Sequence, residues 1–441
     1  MRVGIDDTDS PRGGCTTWVL TELARVARDH HLDLIGEPRL VRLNPNIPWK
    51  TRGNAALSLR VGRGAGRPAV VGEIDGRPVL AYPHGREAGQ ARTEAFLQDA
   101  WRAVLATARH ERGTDPAFVA IPGRLPASLY WGAVREVVSV RDTERVLRQF
   151  GATVKVRSGH RGLVGAAASI AWPARRGTWE LIAYRRPDRI GTAREVDRES
   201  VLAAQRSHPD LFLCHDPTTR RLLVAPHTDC PILFGLRGTT RSAPLSARRS
   251  VRSEPVDRWM LFRTNQATGD HLVPRAAAEL GAYRAAIISG RVDGPVQVLP
   301  GGHVRFDLRD RAGDRLTCIA FEPTKTLPDV ARALAPGDRL RVWGSRGPSG
   351  AVQLEGMEVL GLAGRGRWKA PACPRCRRRT RSLGTARGWR CDRCRLRFPP
   401  ETAGWREERR PLALAVYHPT PSARRHLAPL SSGVRRLKES F

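Results

Sequence analysis

The chain has 441 residues, a formal net charge of +32 and 41% hydrophobic residues. This length exceeds what a single core usually organises, so we predict several domains, and the apolar fraction excludes a disordered chain. Residues 361–441 hold 21 Lys or Arg against 5 Asp or Glu, a net charge of +16 in under a fifth of the chain. Charge concentrated in this way favours a polyanionic partner, most simply nucleic acid, over an evenly solvated basic surface.

We expect neither a membrane span nor a secretion signal. No run approaches the roughly 18 apolar residues that a span needs, and the N-terminus becomes acidic at Asp6 before an apolar stretch develops. Four of the eight cysteines (Cys15, Cys214, Cys230 and Cys318) are isolated from one another. Isolated thiols are typical of a reducing compartment, so we predict a cytoplasmic location.

The N-terminal elements follow the order strand, polar loop, helix. Residues 2–5 are predicted to form a strand and residues 16–28 a helix, which is an α/β beginning. Residues 62–92 are rich in Gly, Pro and Arg and predict hairpins and loops. A helix is expected over residues 91–110, and strands alternate with helices up to about residue 262.

Three carboxylates lie at the end of the first strand. Asp6, Asp7 and Asp9 fall within four consecutive positions, where sheets often place ligands. Mg²⁺ is usually held by one or two carboxylates together with substrate phosphates. An Asx turn that closes the strand is the structural alternative. The like-charge repulsion within such a cluster favours a metal–nucleotide role.

Two further stretches offer groups to a phosphate. Thr16 and Thr17 begin the first helix, where hydroxyls and backbone N–H groups can bind an anion, although helix capping is their ordinary use. Lys50 and Arg52 lie with Asn54 in a polar loop after an apolar strand. This loop is equally consistent with phosphate binding and with a solvated surface.

Consecutive short strands replace the alternating pattern from about residue 283 to residue 362. A helical stretch near residues 327–334 lies between the third and fourth of five predicted strands, which comprise residues 285–292, 302–308, 315–321, 338–344 and 352–359. Five strands with a helix at this place are typical of the OB barrel. Another small β-barrel is the alternative.

Two Cys-x-x-Cys pairs follow the predicted barrel. Cys373 and Cys376 are separated from Cys391 and Cys394 by fourteen residues, and arginines flank both pairs. Each pair directs two thiolates toward one point, and two pairs complete the tetrahedral sulfur shell that Zn²⁺ prefers. A pair of redox dithiols is the alternative. Because protein occupies all four ligand positions, we predict a structural zinc and a catalytic site elsewhere.

The order of these features resembles the archaeal tRNA(Ile) 2-agmatinylcytidine synthetases, the TiaS family. The matching stretches include Gly-Ile-Asp-Asp-Thr-Asp-Ser at residues 4–10 and Arg-Gly-Leu-Val-Gly at residues 161–165. Further matches are both cysteine pairs and residues 15–17, 42–45, 47–48, 50–54, 180–185, 230–238, 254–258, 320–325 and 421–427. Each match alone is weak, but their shared order along the whole chain is specific.

The resemblance implies a multidomain α+β protein with four domains. These are an ATP-binding, α/β kinase-like catalytic domain over residues 1–135 and a ferredoxin-like α+β domain over residues 136–275. An OB-fold β-barrel over residues 276–365 and a C-terminal zinc ribbon with a basic tail over residues 366–441 follow.

The resemblance also implies an ATP-dependent ligase. Its members join agmatine to C2 of the wobble cytidine in the AUA-reading isoleucine tRNA, which has a CAU anticodon, through a phosphorylated cytidine. ATP ends as AMP and two phosphates. On this chain Asp6, Asp7 and Asp9 would handle Mg²⁺ and ATP, and Thr16 falls on the family's autophosphorylated threonine. Thr17, Lys50, Arg52 and Asn54 are assigned to nucleotide binding.

The resemblance leaves the amine-binding residues open, and this chain differs from the family at one position. Glu195, Asp197 and Glu199 are candidates for docking the cationic amine. Where family members have a histidine, this chain has Gln266, followed by Asp270 and His271. A non-catalytic RNA-binding protein and a ligase that uses another amine, such as lysine, are the alternative functions.

Overall fold

As far as the structure describes them, the first 264 residues form fourteen strands, and twelve of these strands belong to one large sheet. The computed structural model describes residues 1–430 apart from residues 52, 112, 365, 385, 408 and 409. The strands of this part are β1 (Arg2–Asp6), β2 (Asp33–Ile35), β3 (Arg39–Arg42), β4 (Ala55–Ala65), β5 (Ala69–Ile74), β6 (Arg77–Tyr82), β7 (His84–Arg86), β8 (Ala117–Ile121), β9 (Thr153–Val156), β10 (Thr178–Arg185), β11 (His215–Asp216), β12 (Arg221–Leu222), β13 (Ile232–Gly238) and β14 (Val256–Thr264). The helices are α1 (Thr16–Asp29), α2 (Gln90–Thr107), α3 (Ala127–Arg135), α4 (Val140–Gln149), α5 (Gly162–Ala171), α6 (Arg198–Ser207) and α7 (Ser242–Ala247).

The sheet has twelve strands, and its main path runs β13-β10-β14-β5-β6-β2-β4-β1-β8-β9. Strand β3 pairs with β14 and β4, and β7 pairs with β4, while β11 and β12 form a separate hairpin. The path crosses the predicted division at residue 135, because β8 pairs with β9. The predicted domain boundaries stay predictions.

Strand polarity differs from the parallel arrangement that an α/β order usually produces. The predicted order of strand, loop and helix is present, but β1 runs antiparallel to both of its neighbours, β4 and β8. Parallel pairs within this sheet join β2 to β6 and β3 to β14. The sheet is therefore mixed and mainly antiparallel, since its hairpins and returning strands set the direction of each neighbour.

Helices cover both faces of the sheet, and β8 illustrates the resulting burial. All five of its residues are buried, as expected for a strand between two apolar layers. Phe118 and Ala120 pack in the core formed with α1 and α2. Ala117, Val119 and Ile121 pack in the second core, formed with α3 and α5.

A closed barrel follows the sheet. Its elements are β15 (Ala285–Val292), β16 (Gln297–Val298), β17 (Val304–Asp310), β18 (Arg315–Ala320), α8 (Thr326–Arg332), β19 (Arg339–Arg346) and β20 (Val352–Gly361). The strand order β15-β19-β20-β18-β17 closes on itself because β15 also pairs with β17. The five long strands and the helix lie at the predicted places, and their apolar side chains enclose a core of their own.

Short strands complete the chain. They are β21 (Gly366–Lys369), β22 (Arg381–Ser382), β23 (Trp389–Arg390), β24 (Arg397–Phe398), β25 (Gly404–Glu407) and β26 (Val416–Tyr417). Strand β26 returns to the barrel and pairs with β20. Within the described part of the chain, no helix has the length and apolarity to cross a bilayer, and all eight cysteines are free thiols.

A C-terminal segment, residues 421–427, runs from the barrel back to the large sheet. The backbone carbonyls of His426 and Leu427 accept hydrogen bonds from the N–H groups of Ala267 (2.8 Å) and Gly269 (2.9 Å). The Leu427 side chain is only 1% exposed and packs in the core formed with α3 and α5. The segment therefore anchors barrel and sheet to each other.

Glu355 of β20 is the charged centre of this junction. Its carboxylate contacts His271 Nε2 at 2.8 Å, Ser345 Oγ at 2.9 Å and Arg425 Nε at 3.2 Å. Burial alone would raise the pKa of Glu355, but His271 and Arg425 lower it to about 2. The carboxylate is therefore charged at neutral pH and holds the C-terminal segment against the barrel.

We expect Leu427→Ala to lower the free energy of unfolding by about 2–5 kcal/mol, because it leaves a cavity in a closed core. The matched control is Leu414→Ala, whose side chain is 64% exposed and whose truncation should change stability by less than about 0.5 kcal/mol. Urea unfolding of both variants measures the difference. Equal stabilities would mean that the segment does not anchor the fold.

Candidate active site

A cavity of about 400 Å³ opens where β1 ends and where α1 and α5 begin. This volume lies in the range of small-molecule sites. Seven of the residues assigned from the sequence line it, namely Asp6, Asp7, Asp9, Thr16, Thr17, Lys50 and Asn54. Arg52, the eighth, lies outside the described residues. The structure thus brings the acidic loop, the start of α1 and the second polar loop to one place.

Close packing of α5 fixes the acidic wall. A Cβ atom at Gly165 would lie 1.8 Å from Asp6 Oδ2, and one at Gly162 would lie 3.2 Å from Asp7 Cβ. Asp7 has a left-handed backbone with φ of 57°, and its Oδ2 accepts a hydrogen bond from the Asp115 N–H at 3.2 Å. Asp6 Oδ1 accepts one from the Asp7 N–H at 2.8 Å. The two neighbouring carboxylates are therefore held in fixed orientations.

The same carboxylates are costly to ionise. Burial raises the pKa of Asp6 well above its ordinary range, and the neighbouring Asp7 raises it further. Burial likewise raises the pKa of Asp7 to about 6, although the hydrogen bond from the Asp115 N–H opposes the rise. A bound divalent ion would stabilise the charged carboxylates and lower both pKa values, so these carboxylates are suited to hold a cation.

A tight loop before α5 surrounds Asp115. The Asp115 carboxylate accepts hydrogen bonds from the backbone N–H groups of Ser158 (3.2 Å), Gly159 (2.7 Å) and Arg161 (3.1 Å). These bonds fix the start of α5 and direct the Arg161 guanidinium over the Trp49 ring, 4.0 Å from its centroid. Arg161 and Trp49 both line the cavity, so one wall combines a cation with an aromatic surface.

Arginines line the same cavity as the aspartates. Arg42 and Arg237 line the cavity and contact the buried carboxylate of Glu180 at 3.7 and 3.1 Å. Glu180 also accepts a hydrogen bond from Gln266 Nε2. Lys50 adds a fourth cation to the cavity lining, beside Arg161, Arg42 and Arg237. The cavity therefore has a negative wall on β1 and a positive wall on β3, β13 and the loop that contains Lys50.

The C-terminal segment contributes an imidazole to this cavity. His426 lines it close to Arg42, and the charge of Arg42 is the main cause that lowers the His426 pKa well below its usual range. His426 Nδ1 lies 3.3 Å from Gln266 Oε1. Gln266 therefore contacts both the His426 imidazole and the Glu180 carboxylate.

Cys15 and Cys230 also line the cavity. Cys15 Sγ lies 2.9 Å from Thr17 Oγ1, and burial raises the Cys15 pKa to about 11. The thiol is therefore protonated at neutral pH and is a poor nucleophile. The hydroxyls of Thr16 and Thr17, at the positive end of the α1 dipole, are the better candidates to meet a phosphate.

The suggested amine-docking acids lie elsewhere. Glu195, Asp197 and Glu199 are absent from the described residues that line the cavity. Asp197 caps α6 through a hydrogen bond from the Ser200 N–H at 2.9 Å, and Glu195 pairs with Arg189. By contrast, Glu136 and Glu180 reach the cavity.

Sequence reasoning did not single out Arg161, Glu180, Arg237 or His426. Each belongs to a stretch that carries the family resemblance, but none belongs to a local pattern with a chemical meaning. Three-dimensional contacts between residues far apart in the chain, such as the one between Arg42 and His426, bring them together.

The four clustered cysteines converge as a metal site requires. Their Sγ atoms all lie within 4.8 Å of one another, near the roughly 3.8 Å that tetrahedral Zn–S bonds of about 2.3 Å impose. Each pair closes in the same way, with the Arg377 N–H bonded to Cys373 O (2.7 Å) and the Arg395 N–H to Cys391 O (2.8 Å). The geometry fits one structural zinc ion.

Three protein-family models match the chain. They are the TiaS TCKD domain at residues 2–157, the TiaS FLD domain at residues 160–271 and the TiaS C-terminal zinc ribbon domain at residues 370–409.

Relatives match over nearly the full length. The isoleucine-tRNA 2-agmatinylcytidine synthetase TiaS of Methanosarcina mazei is 36% identical over 99% of this chain and 98% of the relative. The enzyme of the same name from Archaeoglobus fulgidus is 36% identical over 97% of this chain and 96% of its own length.

Two solved structures are similar throughout. A complex of TiaS with its isoleucine tRNA and ATP matches with a TM-score of 0.84 and 34% identity, covering 97% of this chain and 95% of that one. A complex of TiaS with the same tRNA, AMPCPP and agmatine matches with a TM-score of 0.79 and 32% identity, covering 97% and 96%. Three family models match this chain, and relatives are more than 30% identical to it over nearly its full length, so this chain belongs to the TiaS family.

Proposed function

We propose that this chain joins agmatine to C2 of the wobble cytidine of the isoleucine tRNA that has a CAU anticodon, in a reaction driven by ATP. The observation that carries the proposal is a cavity lined by both carboxylates and cations, in a chain of this family. The carboxylates of the lining could hold a divalent cation, while its arginines and lysine could bind phosphates, so the cavity suits a metal-bound nucleotide.

The residue roles follow from the two walls. Asp6, Asp7 and Asp9 would hold Mg²⁺, which neutralises phosphate charge when it is bound. Lys50, Arg161 and the start of α1, with Thr16 and Thr17, face the phosphates. Asn54 fixes the second loop, because its Nδ2 donates to Asn44 O at 2.7 Å. Arg52 is assigned to the same loop, and Thr16 is the hydroxyl that accepts a phosphoryl group during autophosphorylation.

The chemistry needs ATP, the cytidine and agmatine within reach of one another. A carbonyl oxygen is a poor leaving group, and transfer of the γ-phosphoryl group of ATP to the C2 oxygen of cytidine makes it a good one. Passage of the β-phosphoryl group to Thr16 or to water then leaves AMP. The agmatine amine then attacks C2, and the oxygen leaves with the phosphate. Glu195, Asp197 and Glu199 lie outside the cavity lining. Arginines already pair with both Glu136 and Glu180, so we assign no acid to the cationic amine.

We assign the barrel and the cysteine unit to tRNA binding. The closed order of β15-β19-β20-β18-β17, with α8 between β18 and β19, supports an OB fold. The arginines around the cysteine pairs supply salt-sensitive contacts to phosphates. The kinase-like and ferredoxin-like units, their boundary at residue 135 and the cytoplasmic location stay predictions, the last supported by the free thiols.

The direct test incubates the full chain with ATP, agmatine and this isoleucine tRNA. We expect AMP release and a mass gain on the wobble cytidine. If tRNA binds but neither product forms, the chain is a non-catalytic RNA-binding protein. Competition between agmatine and lysine identifies the amine, and incorporation of lysine would contradict the agmatine assignment.

We expect Asp7→Asn to abolish ATP turnover, to leave tRNA affinity nearly unchanged and to stabilise the free protein at pH 8. Asp7 has a pKa of about 6 in the fold against an ordinary 3.8. The stability linked to its protonation is therefore present at pH 4 and lost as the pH rises through about 6, so the gain from Asn should vanish near pH 4. Thermal unfolding across this range and an AMP assay measure both effects.

Asp75→Asn is the matched control. Asp75 also has a left-handed backbone, with φ of 55°, which asparagine tolerates equally well. It lies outside the cavity and pairs with Arg28 at 2.9 Å. Turnover should stay at the wild-type level, and a loss in both variants would mean that the turn, and not the carboxylate, is required.

Zinc should bind with a stoichiometry of one per chain and should support tRNA binding. We expect Cys376→Ser to lose the metal and to weaken tRNA affinity, while ATP binding is retained, because the cysteine cluster is separate from the cavity. Metal analysis and tRNA titration check this, with Cys214→Ser as the control that keeps its zinc. Retained tRNA affinity without zinc would contradict the assigned role.

A further inference from the structure

A second cavity, of about 440 Å³, lies at the other end of β1 from the aspartates. Arg2 at the start of the strand lines it, and Asp6 lines the first cavity at the end of the strand. Four residues of a strand separate these positions by about 13 Å. Helix α5 runs between the same two places, since Gly165 lines the first cavity and Ile170 the second. The two cavities are therefore separate sites.

Four arginines and one acid line the second cavity, namely Arg2, Arg39, Arg60, Arg263 and Glu37. The single acid is shared, because Glu37 Oε1 lies 3.4 Å from Arg241 Nε while its charge also acts on Arg39 and Arg263. The cavity thus concentrates positive charge that its own carboxylate does not neutralise. Like charges at this density favour the binding of an anion.

Structural roles account for two of these arginines. Arg39 donates to the Trp172 carbonyl at 2.8 Å, where it satisfies the C-terminal end of α5, and lies over the Trp172 ring. Arg60 donates to the Gly85 carbonyl at 3.0 Å through NH2. Both side chains are oriented by these bonds and keep further N–H groups.

Arg2 has no such account. Its Nε is buried and has no hydrogen-bond partner among the described residues. Burial lowers the pKa of Arg2 to about 10, and the charges of Arg39 and Arg60 add to the effect. A buried guanidinium nitrogen without a partner costs free energy, and no hydrogen bond within the described residues explains the position of this one.

Arg263 also turns its charge toward the cavity. Its guanidinium lies 4.8 Å from the centroid of the Trp179 ring, and both residues line the cavity. Stacking occupies the face of a guanidinium and leaves its edge N–H groups for an anion. Those groups form the planar fork that binds phosphate oxygens in pairs.

We propose that this second cavity binds a phosphate-bearing small molecule, with Arg2 and Arg263 as its principal donors. A small anion fits better than an RNA backbone, because the four arginines line a cavity of about 440 Å³ and not an extended surface. The proposal does not depend on the function of the first cavity, since none of its arginines lines that cavity.

Calorimetric titration of the full chain with pyrophosphate, and separately with inorganic phosphate, tests the proposal. We expect Arg263→Gln and Arg2→Gln each to weaken binding at one site about tenfold, the loss of one charge-assisted contact. Arg263→Lys should retain part of it. Arg145→Gln removes the same charge from an exposed side chain paired with Asp142 and should bind as the wild type does.

Asp7→Asn alters only the first cavity, so it should keep the Arg263-dependent anion binding. The anion site and the proposed catalytic function can therefore fail independently of each other. Absence of Arg263-dependent binding of either anion overturns the proposal. A loss of tRNA affinity in Arg263→Gln with unchanged pyrophosphate binding would assign the cavity to RNA and also overturn it. Should the variants unfold, crystals of the wild type soaked in tungstate decide, because an anomalous signal beside Arg2 and Arg263 supports the site and its absence refutes it.

Discussion

Helix α5 lies against strand β1 at a distance that only glycine permits, and the cavity depends on this contact. A Cβ atom at Gly4 would lie 2.2 Å from the Ala166 carbonyl, and one at Gly165 would collide with the Asp6 carboxylate. The close approach buries Asp6 and Asp7, and burial in turn raises their pKa values. One steric constraint therefore sets both the geometry and the electrostatics of the acidic wall.

The charged groups that line the cavity also lower the stability of the free protein. Buried carboxylates with raised pKa values destabilise the free protein at neutral pH, and buried guanidinium groups such as Arg42 lose hydration. A ligand that carries both a cation and phosphates relieves both costs at once. The site is thus arranged for its ligand more than for the stability of the empty fold, a common trade at catalytic centres.

Local patterns in the sequence predicted those parts of the structure that depend on neighbours in the chain. The aspartate cluster, the start of α1, the barrel strands and the four cysteines are of this kind, because spacing alone fixes their chemistry. Strand polarity around β1 was not predictable, since it depends on which distant strands pair. Arg237 and His426 were missed for the same reason, because they reach the cavity from positions far along the chain.

The contribution of His426 has a consequence for the order of events during protein synthesis. Asp6 and His426 line the same cavity although 420 positions separate them in the chain. The sheet, the barrel and the aspartates can form while the chain is still being translated, but the wall that contains His426 must wait for the C-terminal segment to emerge. A nascent chain therefore cannot complete the wall of the cavity until residues 421–427 have docked beside Glu355.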